Sequence, residues 1–354
     1  MRETNEMGSQ FKERRIYCDY LRVWASFAII IIHVSAQNWY STDIYGFDWK
    51  VFNLYDSIVR WGVPVFVMIS GSLFLDREIS LKHIYQKYIL RLLVSYVVWS
   101  LIYALVMGKT REQTISLIEV GYYHMWFIPM MIGLYMCIPF IKPIIESEYK
   151  TKYFLMLAFL FVYAIPMGIT LAKDFGSATM IQWANIFNRY IGSIPVPSVL
   201  GYLSYFVLGY YINIISLSKK QRILIYIIGL LGFISTIELT LIVTLRTQVL
   251  CANYYNYFSI NVLFEALAVF VWFKYGKFNN KVLNMIIRKV AKYSFGTYLV
   301  HILILEQLNL CFGLNTRSFN SVLSVLCIGI IVFVASYAVS ALLNQIPVIK
   351  KYMI

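Results

Sequence analysis

Charge is what this sequence has least of. Only 14% of its 354 residues are Asp, Glu, Lys or Arg, and just 17 are acidic. A soluble domain of this length carries nearly twice that share, so an aqueous globular fold is excluded. Cysteine is scarce as well: Cys18, Cys137, Cys251, Cys311 and Cys327 are scattered with no CxxC pair. That spacing supports neither a zinc site nor a disulfide framework. The chain has no GxSxG elbow, no Walker loop and no HExxH, so hydrolase, NTPase and zinc-protease readings lack their usual machinery. No internal repeat stands out, which weakens a transporter built from duplicated halves. Histidine is rare too, with four in all.

Apolar residues fill the space. They make up 60% of the chain, and the mean hydropathy is +0.68. Ten segments satisfy the length of about twenty residues needed to cross a bilayer. They lie near 16–37, 54–75, 86–107, 123–143, 153–172, 198–215, 222–243, 257–274, 293–312 and 320–343. The expected fold is therefore all-α and polytopic, with a polar tail over 1–15 and a single membrane domain over 16–354. Val34-Ser35-Ala36 imitates a signal-peptide cleavage site, but the run before it is too long and is broken by Asp19 and Arg22. The first span is read as uncleaved.

A net charge of +14 suggests nucleic acid at first sight, yet the distribution of the basic residues argues for topology. With the N-terminus placed inside, 21 Lys and Arg fall in inner segments and 7 in outer ones. This positive-inside bias places both termini in the cytoplasm. The longest outer connections are then 38–53, 108–122, 173–197 and 244–256. That over 173–197 reads as a re-entrant or surface-lying piece.

Against this background, the ionisable residues inside spans stand out, because each costs about 2.5–3.5 kcal/mol on insertion scales. The first span holds Asp19, Arg22 and His33. Asp19 and Arg22 are one turn apart and can pair. His33 lies about 16 Å beyond Arg22 by helical rise. The set is either a structural ion pair with a hydrogen-bonded histidine, or a link between a cytoplasmic arginine and an imidazole at mid-depth. In the second span Arg60-Trp61-Gly62-Val63-Pro64 leads to Ser70-Gly71-Ser72. Pro64 should bend that helix, and the small residues form either a packing face or a place where a ligand approaches the backbone. Lys82, His83, Lys87 and Arg91 open the third span. Positive-inside anchoring explains the two lysines, whereas Arg91 lies a turn deeper and suits a phosphate. His124 and Trp126 start the fourth span, as belt anchors or, with Tyr122, Tyr123, Trp39, Tyr40, Tyr45 and Trp49, as a platform for sugar rings. His301 is the other histidine within a span, and Arg60 is a candidate partner for the intramembrane acids Glu238 and Glu265.

Taken together, these motifs resemble the acyltransferase-3 family of integral-membrane acyltransferases, near its stand-alone surface-polysaccharide O-acetyltransferase branch. The likeness rests on Asp19-x-x-Arg22 followed after ten residues by His33, and on Arg60-Trp61-Gly62-Val63-Pro64-Val65-Phe66 leading to Ser70-Gly71. It also rests on His124-Met125-Trp126-Phe127-Ile128 with Gly133-Leu134-Tyr135, and on Ser294 through Thr297-Tyr298-Leu299-x-His301. The resemblance implies transfer of an acyl group, usually acetyl, from cytoplasmic acyl-CoA to a hydroxyl of a cell-surface or lipid-linked glycan. It further implies a multi-pass protein of the bacterial cytoplasmic membrane that serves exopolysaccharide O-acetylation without a metal. Arg22 and His33 match the family's Arg-x10-His pair as the catalytic residues. Arg91 matches the second arginine of its Arg-x-x-Arg motif, where Tyr88 replaces the first and Lys87 is the nearest substitute. On this reading Arg22, Arg91, Lys87, Ser70 and Gly71 bind the donor, and Asp19 and His301 support the centre. Trp126, His124 and Arg60 face the acceptor. The rival expectation is a polytopic transporter or flippase for a glycan or lipid precursor, which needs no CoA.

Overall fold

The computed structural model describes residues 15–192 and 196–354, so all but the last residue of the expected 1–15 tail lies outside the described residues. Among the described residues there are helices and no strands. In chain order the first are α1 (Ile16–Ala36), α2 (Phe47–Ser57), α3 (Gly62–Phe74), α4 (Leu81–His83), α5 (Leu90–Met107), α6 (Arg111–Val120), α7 (Phe127–Ile145), α8 (Glu148–Ala158) and α9 (Ile165–Phe175). They are followed by α10 (Ala178–Gly192), α11 (Val196–Ile214), α12 (Lys219–Thr247), α13 (Ile260–Lys274), α14 (Lys281–Lys292), α15 (Ser294–Phe312), α16 (Ser321–Leu343) and α17 (Pro347–Tyr352). Single π-helical stretches over Ile84–Ile89 and Phe159–Ala164 join α4 to α5 and α8 to α9.

Nine segments of the described residues are long and apolar enough to cross a membrane, and they coincide with nine of the ten expected spans. The remaining one, 198–215, coincides with α11, which stands outside the nine. Polar side chains mark several helix starts: Thr110 caps α6, Ser147 caps α8 and Asn280 caps α14. Ser218 and Gln221 form a reciprocal capping box on α12, satisfying amide groups that a helix end leaves bare.

The most enclosed of the spans is α1, which touches α2, α3, α13, α14, α15 and α16. The functional candidates of the first span therefore sit on the central helix of the bundle. The break in the second span falls over 58–61, between α2 and α3, a turn before the expected bend. Pro64 lies in the first turn of α3, where its missing amide hydrogen leaves no intrahelical bond unmade. Further along, α3 meets α11 with backbone close to backbone: a Cβ on Gly71 would lie 1.8 Å from the Phe206 carbonyl oxygen, and one on Gly209 would lie 2.0 Å from that of Met68. Near Arg22 the short helix α14 carries Lys281, Arg288, Lys289 and Lys292, the pattern of a helix lying along a membrane surface. It is tied to α1 by the Tyr20 hydroxyl, which donates to Asn284 Oδ1 at 3.0 Å. In the 173–197 connection α10 is amphipathic and largely exposed.

Candidate active site

Arg22 opens the site. Its guanidinium lies 3.8 Å from Asp19 one turn back on α1, and it borders two adjoining cavities that share Arg22, Phe74 and Tyr88. The larger, of about 470 Å³, is lined by Arg22, Arg91, Lys292, Ser70 and Tyr135, and reaches inward to Ile29, Ile128 and Tyr298. The smaller, of about 400 Å³, adds Arg15 and Arg77. Basic side chains thus gather at one end of the space, and an apolar channel leads away from them. Arg91 donates to a main-chain oxygen of Ile354 and lies 5.6 Å from the Phe295 ring centre.

Beyond the inner end of the larger cavity stand three of the four histidines. His33 lies 5.2 Å from His301 and 6.5 Å from His124 between ring centres, and His124 lies 5.2 Å from His301. Helical spacing explains the convergence. Ile29, Tyr298 and Ile128 line the cavity, and each has its histidine about one turn further on: His33 on α1, His301 on α15, and His124 in the 3-10 turn Tyr123–Trp126 that precedes α7. Tyr298 stands between cavity and cluster and donates its hydroxyl to the His124 carbonyl at 2.6 Å. His301 donates from Nδ1 to the Tyr298 carbonyl, which leaves Nε2 as the ring's lone-pair nitrogen. Among the described residues that Nε2 and both ring nitrogens of His124 have no hydrogen-bond partner. His124 and His301 are buried, whereas His33 is partly open. No group of His, Cys, Asp and Glu among the described residues is arranged to hold a metal ion.

Past the cluster, Arg60 pairs with Asp56 at 2.6 Å and stacks over the Tyr255 ring at 4.1 Å. This replaces the expected pairing of Arg60 with Glu238 or Glu265. Asp56 is one turn away in the last turn of α2, just before the break, whereas Glu265 accepts from the Thr236 hydroxyl across the α12–α13 contact. Trp126 stacks on Tyr202 and Tyr257 at 5.7 and 5.9 Å, an aromatic set on the same side as Arg60. Of the expected sugar platform, Trp49 is fully buried in the core, while Tyr40 and Tyr45 are exposed.

The donor-side candidates divide. Arg22, Arg91 and Ser70 border the larger cavity. Gly71 faces the α11 backbone instead, and Lys87 extends over the Tyr88 ring, 5.6 Å from its centre, outside the cavity lining. The third basic group is Lys292, which sequence reading counted only as inner-surface charge. Tyr135 and Tyr298 fall inside the sequence motifs without a role that the pattern assigns, and Asp56 lies outside them. The signal for Asp56 was its spacing of four from Arg60.

No curated protein and no solved structure matches the chain. The family model described as an acyltransferase domain matches residues 15–342, nearly the whole sequence. The chain belongs to this acyltransferase-3 family, as a multi-pass membrane protein whose domain is one for acyl transfer.

Proposed function

We propose that the protein transfers an acyl group, acetyl by default, from cytoplasmic acyl-CoA to a hydroxyl of a cell-surface or lipid-linked glycan at a bacterial cytoplasmic membrane. The observation that carries this reading is the position of His33, one helical turn past a basic-mouthed cavity and one turn before the aromatic pocket that includes Ala36, Arg60 and Tyr257. The basic end of the bundle is the cytoplasmic one by the positive-inside rule. Phosphates of the donor meet Arg22, Arg91 and Lys292, where charge-assisted hydrogen bonds are strongest. About 16 Å separates Arg22 from His33, so the donor needs a long, narrow arm between phosphate and acyl group. Acyl-CoA has that shape.

In the reaction His33 takes the proton of the acceptor hydroxyl as its oxygen attacks the thioester carbonyl. The tetrahedral intermediate collapses, the carbon–sulfur bond breaks, and the CoA thiolate leaves with the proton returned by His33. An alternative sequence places the acyl group on His33 first and on the hydroxyl second. His301, with Nδ1 committed to a carbonyl, supports the ring of His33, and Asp19 orients Arg22.

The test is acyl transfer from labelled acetyl-CoA by the purified protein. Transfer to a saccharide that is lost in His33→Ala, with CoA binding intact, is the expected result. Label that accumulates on the wild-type protein without acceptor marks the two-step route. Saccharide movement across the membrane with no CoA requirement would instead identify a transporter.

A further inference from the structure

A separate pocket of about 320 Å³ opens on the Arg60 side of the histidines, lined by Trp39, Tyr40, Asp56, Arg60, Tyr255 and Tyr257. Ala36, one turn past His33 on α1, forms part of its wall, so the pocket lies about one helical turn from that histidine. Four of its nine lining residues, Trp39, Tyr40, Tyr255 and Tyr257, are aromatic, which suits the C–H faces of a sugar ring. The polar groups are fewer and more telling. Asp56 is 2% exposed; its Oδ2 takes the Arg60 bond while Oδ1 has no partner among the described residues. Arg60 Nε is likewise buried without one. Buried polar atoms are nearly always satisfied; these two are closed to water as they stand, but both residues border the pocket, so a small side-chain rotation would present them to a ligand that supplies the missing partners. One open atom accepts and the other donates, as a hydroxyl-bearing ring requires.

Charge selects among such rings. Among the described residues Arg60 is the one cation in the lining and Asp56 the one anion, and they neutralise each other at 2.6 Å. A phosphate or uronate would have to compete with Asp56 for Arg60 and would meet the aspartate as a like charge, at a cost that low-dielectric burial increases. We propose that this pocket holds an uncharged, hydroxyl-rich ring of the acceptor, with Asp56 accepting from a ring hydroxyl and Tyr40 covering an apolar face. The proposal rests on the acyl-transfer reading.

The experiment uses the full chain in nanodiscs, labelled acetyl-CoA as donor, and octyl β-glucoside and octyl β-glucuronide as acceptors. Wild type should acetylate the glucoside with saturation, and with a kcat/KM roughly tenfold or more above that for the glucuronide. Loss of one charge-assisted hydrogen bond predicts that Asp56→Asn raises the glucoside KM roughly tenfold, with CoA affinity in place. Tyr40, which is 71% exposed, provides a second variant that leaves folding alone, and Tyr40→Ala should raise that KM several-fold. Unchanged KM in both variants, preference for the glucuronide, or a wild type that binds CoA yet acetylates neither glycoside overturns the pocket assignment. Failure of wild type to bind CoA overturns the acyl-transfer reading beneath it.

Discussion

Two parts of the bundle bury ionisable side chains, and they are built differently. Between α12 and α13, Glu265 is fully buried and accepts from the Thr236 hydroxyl, which in turn accepts from the Asn261 amide at 2.7 Å. The helices close around this network at Gly229 and Gly232, where a Cβ would lie 2.2 Å from the Ala268 Cβ and 2.6 Å from the Asn261 carbonyl oxygen. One oxygen of Glu265 has no partner among the described residues, and the cavity bordered by its neighbours Leu263, Phe264 and Leu267 holds only about 160 Å³. The histidines also leave ring nitrogens open, but His33 is partly accessible, with cavity walls a turn away on both sides. An expensive buried group is therefore no sufficient sign of chemistry; partial exposure, with cavities of about 470 and 320 Å³ a turn away, sets His33 apart from the closed Glu265 network.

The strongest way to break this comparison is to make the same conservative change in both places. His33→Gln should lower acyl transfer by about 10²–10⁴-fold, the usual worth of a general base, while the protein still inserts and binds CoA. Glu265→Gln keeps an oxygen for Thr236 and should leave transfer per folded molecule within about twofold, because a near-isosteric swap away from the site has small effects. Equal damage from the two changes would erase the distinction between open and closed networks.

A second pair sharpens the basic end. Arg91→Ala should weaken binding of acetyl-CoA and free CoA alike by about 1.5–3 kcal/mol, the worth of a hydrogen bond to a charged group, as read by titration calorimetry. Lys87→Ala should change either affinity by less than about 0.5 kcal/mol, since its side chain is exposed and lies off the cavity. A reversed order would move the phosphates from the α5 cavity to the surface at the start of that span.

Much of the fold was legible because crossing a bilayer imposes a length and an apolarity that leave few alternatives. The spacing of Arg22 and His33 was legible too, since one helix fixes both. What could not be read was the meeting of His33 with His124 and His301, whose partners stand on helices distant in the chain and are set by packing alone. In sequence His124 reads first as a belt anchor; the 3-10 turn Tyr123–Trp126 places it inside. The same limit applies to Gly71 and Lys87. Sequence shows that a glycine permits close approach but not what approaches, and here it is the carbonyl of Phe206. Positive charge at a span's entrance does not show which lysine turns inward, and Lys292 of α14 borders the cavity in place of Lys87. Arg60 finds its partner locally at Asp56, four residues away, and not at a distant acid.

The central claim is that donor and acceptor reach His33 from opposite faces of the membrane. Its most direct test is a proteoliposome with oriented protein, labelled acetyl-CoA confined to the compartment facing Arg22 and Arg91, and a membrane-impermeant saccharide acceptor confined to the other. The account predicts acetylated acceptor in the second compartment with wild type and none with His33→Gln. Acetylation only when both substrates share one compartment, or undiminished transfer by His33→Gln, would contradict it.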